Sequence, residues 1–157
     1  MKITLITVGK TEETYLKEGI EKYTKRLKHY TRLVTVEIDE LKNTRSLTES
    51  QQKGREAELI LKKILPLDHV ILLDEKGTEL SSTQFAAYID KKAIGSVSNL
   101  VFVIGGPYGF DVPVYERAND KISLSVMTFS HQMVRLFFVE QLYRAFTIIK
   151  GEPYHHV

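Results

Sequence analysis

Two apolar runs with almost no polar interruption, His69-Val70-Ile71-Leu72-Leu73-Asp74 and Asn99-Leu100-Val101-Phe102-Val103-Ile104, constrain this chain more than any other feature. A strand with one wet face alternates apolar and polar residues, so runs without alternation predict strands covered on both sides. Strands of that kind belong to parallel sheets, whose crossover connections place helices on both faces.

The flanking segments supply those helices. Lys2 to Val8 reads as a strand closed by Gly9, and Leu16, Ile20, Tyr23 and Leu27 follow at helical spacing. A second strand, Leu33 to Ile38, leads through a polar loop to Thr48-Glu49-Ser50-Gln51, a capping box. That box opens a helix carrying Ala57, Ile60, Leu61 and Ile64, ended by Pro66. Ser81 to Gln84 caps another helix reaching Gly95, and a short helix is expected near Val112 to Ala118. Lys121 to Val126 reads as a fifth strand, and a long helix runs from about His131 to Lys150. The fold class is therefore α/β, a mostly parallel sheet flanked by helices, in one domain over residues 1–157. Ligands of open α/β sheets sit beyond the carboxyl ends of strands, which singles out the positions after Leu73, at Gly105-Gly106 and after Val126.

Composition sets outer limits. With 43% hydrophobic and 27% charged residues in 157, an ordinary core is expected. No apolar run approaches the roughly 18 residues of a membrane span, so a soluble, unprocessed, cytoplasmic protein is expected, with no membrane partner. The absence of cysteine excludes disulfides, thiolate metal sites and cysteine nucleophiles. Net charge is only +2, but residues 1–65 carry 14 Lys+Arg against 10 Asp+Glu, while residues 66–157 carry 8 against 10. Two readings of the basic half stand: a docking face for a polyanion, or the solvated side of ordinary helices.

Four segments have the residue types for chemistry. Gly105-Gly106-Pro107-Tyr108-Gly109 ends a buried strand, where glycines permit positive φ and close ligand approach, or simply a tight turn. It is neither a dinucleotide fingerprint nor a P-loop. Leu124 to Gln132 combines a strand end, hydroxyls and His131, a residue able to bind an anion, titrate or cap the helix. The last helix is apolar nearly all round, which calls for a homodimer seam or a central position in a monomer. Within it Glu140 and Arg144 are four apart, as in a simple i,i+4 pair. In the tail, His155-His156 is a poor metal motif, whereas Tyr154 and His155 suit contact with a nucleic-acid base. No metal is expected.

Taken together and in order, Gly105 to Gly109, Leu124-Ser125 to Met127-Thr128-Phe129, His131 to Arg135, Glu140-Gln141-Leu142-Tyr143-Arg144-Ala145 and Tyr154-His155 resemble the RlmH family of SPOUT methyltransferases. The Met1 to Gly9 opening and the length fit it too. The resemblance implies a C-terminal trefoil knot within about residues 70–157, a homodimer, and S-adenosylmethionine as methyl donor. It implies methylation of N3 of a pseudouridine in a stem-loop of 23S rRNA on the assembled ribosome. It places the cofactor on Leu73, Gly105, Gly106, Leu124, Ser125, Val126, Met127, Thr128 and Phe129. Two departures from the family pattern are Ser130, where proline is more usual, and His156, where a basic residue is common.

The chemistry so implied needs the imide proton removed and the developing anion stabilised. The candidates are His131, Arg135, Arg144, Tyr154 and His155, with the arginines supplying charge and the others positioning or deprotonating the base. The rival readings are a non-catalytic ribosome-binding module with a vestigial cofactor pocket, and a hydrolase or nucleotide-binding protein. The second lacks a nucleophile elbow.

Overall fold

The computed structural model describes residues 1–156; Val157, the last residue of the tail, lies outside the described residues. Five strands, β1 (Lys2–Val8), β2 (Arg32–Ile38), β3 (His69–Glu79), β4 (Asn99–Ile104) and β5 (Asp120–Ser123), form one sheet in the order β2-β1-β4-β3-β5. Every pairing in it is parallel. The helices are α1 (Thr14–Leu27), α2 (Glu49–Leu61), α3 (Ser82–Ile94), α4 (Val112–Arg117) and α5 (Met133–Ile149). The predicted capping box at Thr48 is present, and the predicted cap at Ser81 is a second one: Thr48 and Ser81 accept from the amides of Gln51 and Gln84, whose side chains reach back to the cap amides.

The unalternating runs are buried on both faces, as expected of strands covered by two helical layers. Ile71, Leu73, Leu100, Phe102 and Ile104 pack with Phe85, Ile89, Phe138 and Leu142 from α3 and α5. The alternate residues Val70, Leu72, Val101 and Val103 pack with Ala57, Ile60 and Val114 from α2 and α4. Helix α5 lies between α1 and α3, with Val134, Leu136, Phe146, Ile148 and Ile149 partly buried against the first cluster. Its apolar circumference is thus largely covered within one chain.

Helix α2 stops at Leu61, short of the expected end at Pro66, and three further elements differ from the sequence expectation at the sheet's carboxyl edge. Strand β5 ends at Ser123, because Ser123 Oγ donates to the Ser125 carbonyl and Ser125 Oγ accepts from the Met127 amide, turning the chain out of the sheet. Strand β3 continues to Glu79, but Leu73 and Thr78 both pair with Ile122, so residues 74–77 bulge away. Gly77 permits this, since a Cβ there would lie 2.7 Å from the Ile122 backbone. Helix α5 begins at Met133, two residues late, where Ser130 Oγ accepts from the Met133 amide at 3.1 Å. Ser130, where the resemblance set an expectation of proline, thus carries a hydroxyl that satisfies one helix N-terminal donor.

Candidate active site

The ends of β3, β4 and β5 are followed by loops that converge on one cavity of about 400 Å³. Of the nine residues assigned to the cofactor, Leu73, Gly105, Gly106, Leu124, Ser125, Met127, Thr128 and Phe129 line it. Val126 does not, and is 69% exposed, because the turn centred on Ser125 sends it outward.

The glycines of the turn serve steric needs that spacing did not reveal. Gly109 alone within it has positive φ, +78°. A Cβ on Gly105 would sit 3.1 Å from the Phe110 ring, and one on Gly106 only 2.5 Å from the Glu56 carboxylate. Glu56 is buried, and burial raises its pKa above the usual carboxylate value, with Glu40 adding to the rise and a hydrogen bond from Gln52 opposing it. The turn thus rests on an acidic side chain from α2, a partner absent from the sequence prediction.

The cavity's polar lining is acidic. Asp74 accepts from the Lys76 amide and from the Tyr115 hydroxyl, and Glu75 accepts from Thr128 Oγ1 at 2.9 Å. Apolar walls come from Leu73, Ile104, Phe110, Leu124, Phe129 and Val134; among the described residues no lysine or arginine lines it. A nucleotide phosphate would meet two carboxylates and no cation. S-adenosylmethionine instead offers a flat adenine for the apolar walls and a sulfonium and ammonium for the carboxylates, so the lining fits it.

His131 lines this cavity from the threshold of α5. Burial, and then the positive charge of Arg135, push its pKa below the ordinary histidine value, against weaker pulls from Glu40 and Glu12. The imidazole is therefore neutral at pH 7 and able to accept a proton. Arg135 itself is 2% exposed. Its guanidinium donates to the carbonyls of Val8 (2.8 Å), Gly9 (2.9 Å) and His131 (3.2 Å). It binds the end of β1 to the start of α5 and does not line the cavity.

Arg144, Tyr154 and His155 lie together, apart from that cavity, and Glu140 joins them. Glu140 accepts from Arg144 Nη2 and from the Tyr154 hydroxyl, while Arg144 Nη1 meets His155 Nδ1 at 3.2 Å. The Glu140 hydrogen bond raises the Arg144 pKa, keeping it charged. Burial first, then hydrogen bonds with Tyr23 and Glu140, raise the Tyr154 pKa, so its hydroxyl remains a donor. The i,i+4 spacing of Glu140 and Arg144 was legible, but their bonds to the tail depend on how the tail folds back. Among the described residues no group of three or more His, Asp or Glu is arranged to hold a metal ion, and no helix is long and apolar enough to cross a membrane.

A five-stranded parallel sheet whose last loops line one acidic, apolar-walled cavity is the architecture expected of an α/β methyltransferase, and comparison with known proteins agrees. The family model described as predicted SPOUT methyltransferase matches residues 1–155, and the chain belongs to that family. Proteins named Ribosomal RNA large subunit methyltransferase H share 58% identity with it in Cytophaga hutchinsonii, 56% in Flavobacterium psychrophilum and 54% in Parabacteroides distasonis. Each alignment spans 156 residues, 99% of this chain and 99% or 100% of the relative. A solved structure titled a probable methylase family protein from Haemophilus influenzae Rd KW20 aligns over 99% of this chain and 70% of that one. Its TM-score of 0.48 at 15% identity is too distant to add to the sequence match. SPOUT methyltransferases use S-adenosylmethionine.

Proposed function

We propose that this chain methylates N3 of a pseudouridine in a stem-loop of 23S rRNA, on the assembled ribosome in the cytoplasm. The observation that carries the reading is the meeting of three strand-end loops and a neutral histidine around one acidic, apolar-walled cavity. The relatives' shared name supports ribosomal RNA as the substrate. The choice of nucleotide rests on the family resemblance.

Bound in the cavity, S-adenosylmethionine supplies an already activated methyl group. The residues of this chain then have two tasks, to align the base edge and to manage its proton. His131 accepts the N3 proton as the ring becomes nucleophilic. Arg144, held charged by Glu140, stabilises the developing anion, with Tyr154 and His155 positioning the base. Arg135 holds the His131 backbone in place.

The RNA backbone docks on the basic first half. A second cavity of about 480 Å³, between α1 and β2, is bordered by Lys10, Lys17, Lys25 and Lys28, with Arg135 also in its lining. The working form is a homodimer with its seam over α1 and α5. There Arg26 lies 5.5 Å from the ring centroids of both Tyr23 and Tyr143, forming the aromatic and arginine surface typical of interface cores. The whole chain acts as one domain, and the C-terminal knot belongs to the same reading. The segment from Leu124 to Gln132 supports it, leaving the β5 edge and reaching Lys10 beyond β1, where Gln132 Nε2 donates to the Lys10 carbonyl.

Single-turnover transfer from labelled S-adenosylmethionine to ribosomes of a deletion strain, with the nucleotide mapped by mass spectrometry, tests the proposal. A modified N3 restored by this protein is the expected result. Calorimetry showing no binding of the donor would refute it.

A further inference from the structure

A second groove adjoins the donor cavity and is tied to the Arg144–Tyr154 cluster through Glu140, which lines it. It lies between the start of α3, the end of β5 and the outer side of α5, encloses about 450 Å³, and shares Leu124, Ser125 and Phe129 with the donor cavity. We propose that this groove receives the target base and that Gln141 reads the N1–H of pseudouridine, the ring donor that uridine lacks. The inference rests on the methyl-transfer reading and adds the source of its selectivity.

Three observations support the assignment. The first is contiguity: a base seated in the groove presents one edge to residues that also line the donor cavity, as alignment of N3 with the methyl group requires. The second is the pair Phe129 and Phe137, whose ring centroids are 4.9 Å apart and which are 38% and 37% exposed. Solvent-exposed aromatic faces bordering a groove offer a stacking surface for an unstacked base.

The third is the state of the Gln141 amide. Its Oε1 accepts from Ser82 Oγ at 2.7 Å, and its Nε2 donates to Glu140 Oε2 at 3.0 Å. Glu140 is in turn held by Arg144 and Tyr154. These bonds fix which end of the amide is oxygen and leave it one lone pair and one N–H. In pseudouridine the ribose is attached through C5, so N1 carries a hydrogen beside the C2 carbonyl. That N–H and C=O pair complements the remaining lone pair and N–H of Gln141. In uridine N1 is bonded to the ribose and offers no hydrogen, so the amide oxygen would face the base unpaired.

The test compares kcat/KM on ribosomes carrying pseudouridine at the target with ribosomes from a strain lacking that pseudouridine, which carry uridine there. Wild type, Gln141→Leu and Ser82→Ala are measured, the last freeing the amide without removing it. Wild type should favour pseudouridine. Gln141→Leu should reduce that ratio by about tenfold or more, the weight of one well-made hydrogen bond, and Ser82→Ala by a smaller factor. An unchanged ratio in Gln141→Leu, or equal rates of wild type on both substrates, overturns the proposal. So does a change of oligomeric state in Gln141→Leu by sedimentation velocity, which would assign the groove to a second copy. Wild type inert on both ribosomes instead refutes the methyl-transfer reading itself.

Discussion

Thr128 Oγ1 donates to Glu75 Oε2 at 2.9 Å, a bond between residues 53 positions apart that joins the β3 bulge to the loop before α5 across the donor cavity. Both residues are exposed, so the bond orders two loops and adds little to the core. Thr128→Val should leave thermal stability within about 0.5 kcal/mol, as for other surface changes. It should weaken S-adenosylmethionine binding by about 2- to 10-fold in calorimetry, the range of one net hydrogen bond.

Gly106→Ala places a methyl group 2.5 Å from the buried Glu56 carboxylate. Overpacking of this kind costs about 1–3 kcal/mol. In a domain of this size the thermal midpoint should fall by about 2–4 °C per kcal/mol, read by calorimetric unfolding. Adding Glu56→Ala should restore part of the loss; equal midpoints for Gly106→Ala and wild type would contradict the contact.

Arg135 should be irreplaceable by lysine. Its fork meets three backbone carbonyls from a 2% exposed position, and an ammonium cannot span them. Arg135→Lys should cost about 2–4 kcal/mol of unfolding free energy, from carbonyls left unpaired and a charge poorly housed. Denaturant melts that superimpose on wild type would disprove this.

The depressed pKa of His131 carries a pH signature. The unfolded chain binds this proton at about pH 6.5 and the folded chain only below it. In the window between the two values the unfolded state holds more protons, so stability rises with pH. The stability present above pH 6.5 is lost as pH falls through the folded value. His131→Gln should flatten that part of the stability profile. In single-turnover methylation of ribosomes the wild-type rate should hold below pH 6.5 and drop only at the folded pKa, while the variant should be slow throughout.

Arg144→Ala should lower the single-turnover rate on ribosomes by about 10²- to 10³-fold, the scale of losing one stabilising group at a developing charge. Donor affinity should change little, because Arg144 is held by Glu140 and His155 and does not line the donor cavity. An unaltered rate would remove Arg144, with its partners Tyr154 and His155, from the chemistry.

What periodicity determined is the part of this protein governed by burial and local bonding. The runs at Val70–Leu73 and Leu100–Ile104 admit only strands covered on both faces, and Thr48-Gln51 and Ser81-Gln84 mark helix starts because cap and N3 residue bond each other over three residues. The ordered motifs of the C-terminal half likewise carried the family and eight residues of the cavity lining. Only the tertiary structure decided the early end of β5, the bulge at 74–77, the support of Gly106 by Glu56, the tie of Arg135 to β1, and Glu140 as the link between α5 and the tail. Each of these depends on which distant backbone or side chain a residue meets, and hydrophobic spacing along the chain, which reports only which face is buried, does not encode a partner fifty or a hundred residues away.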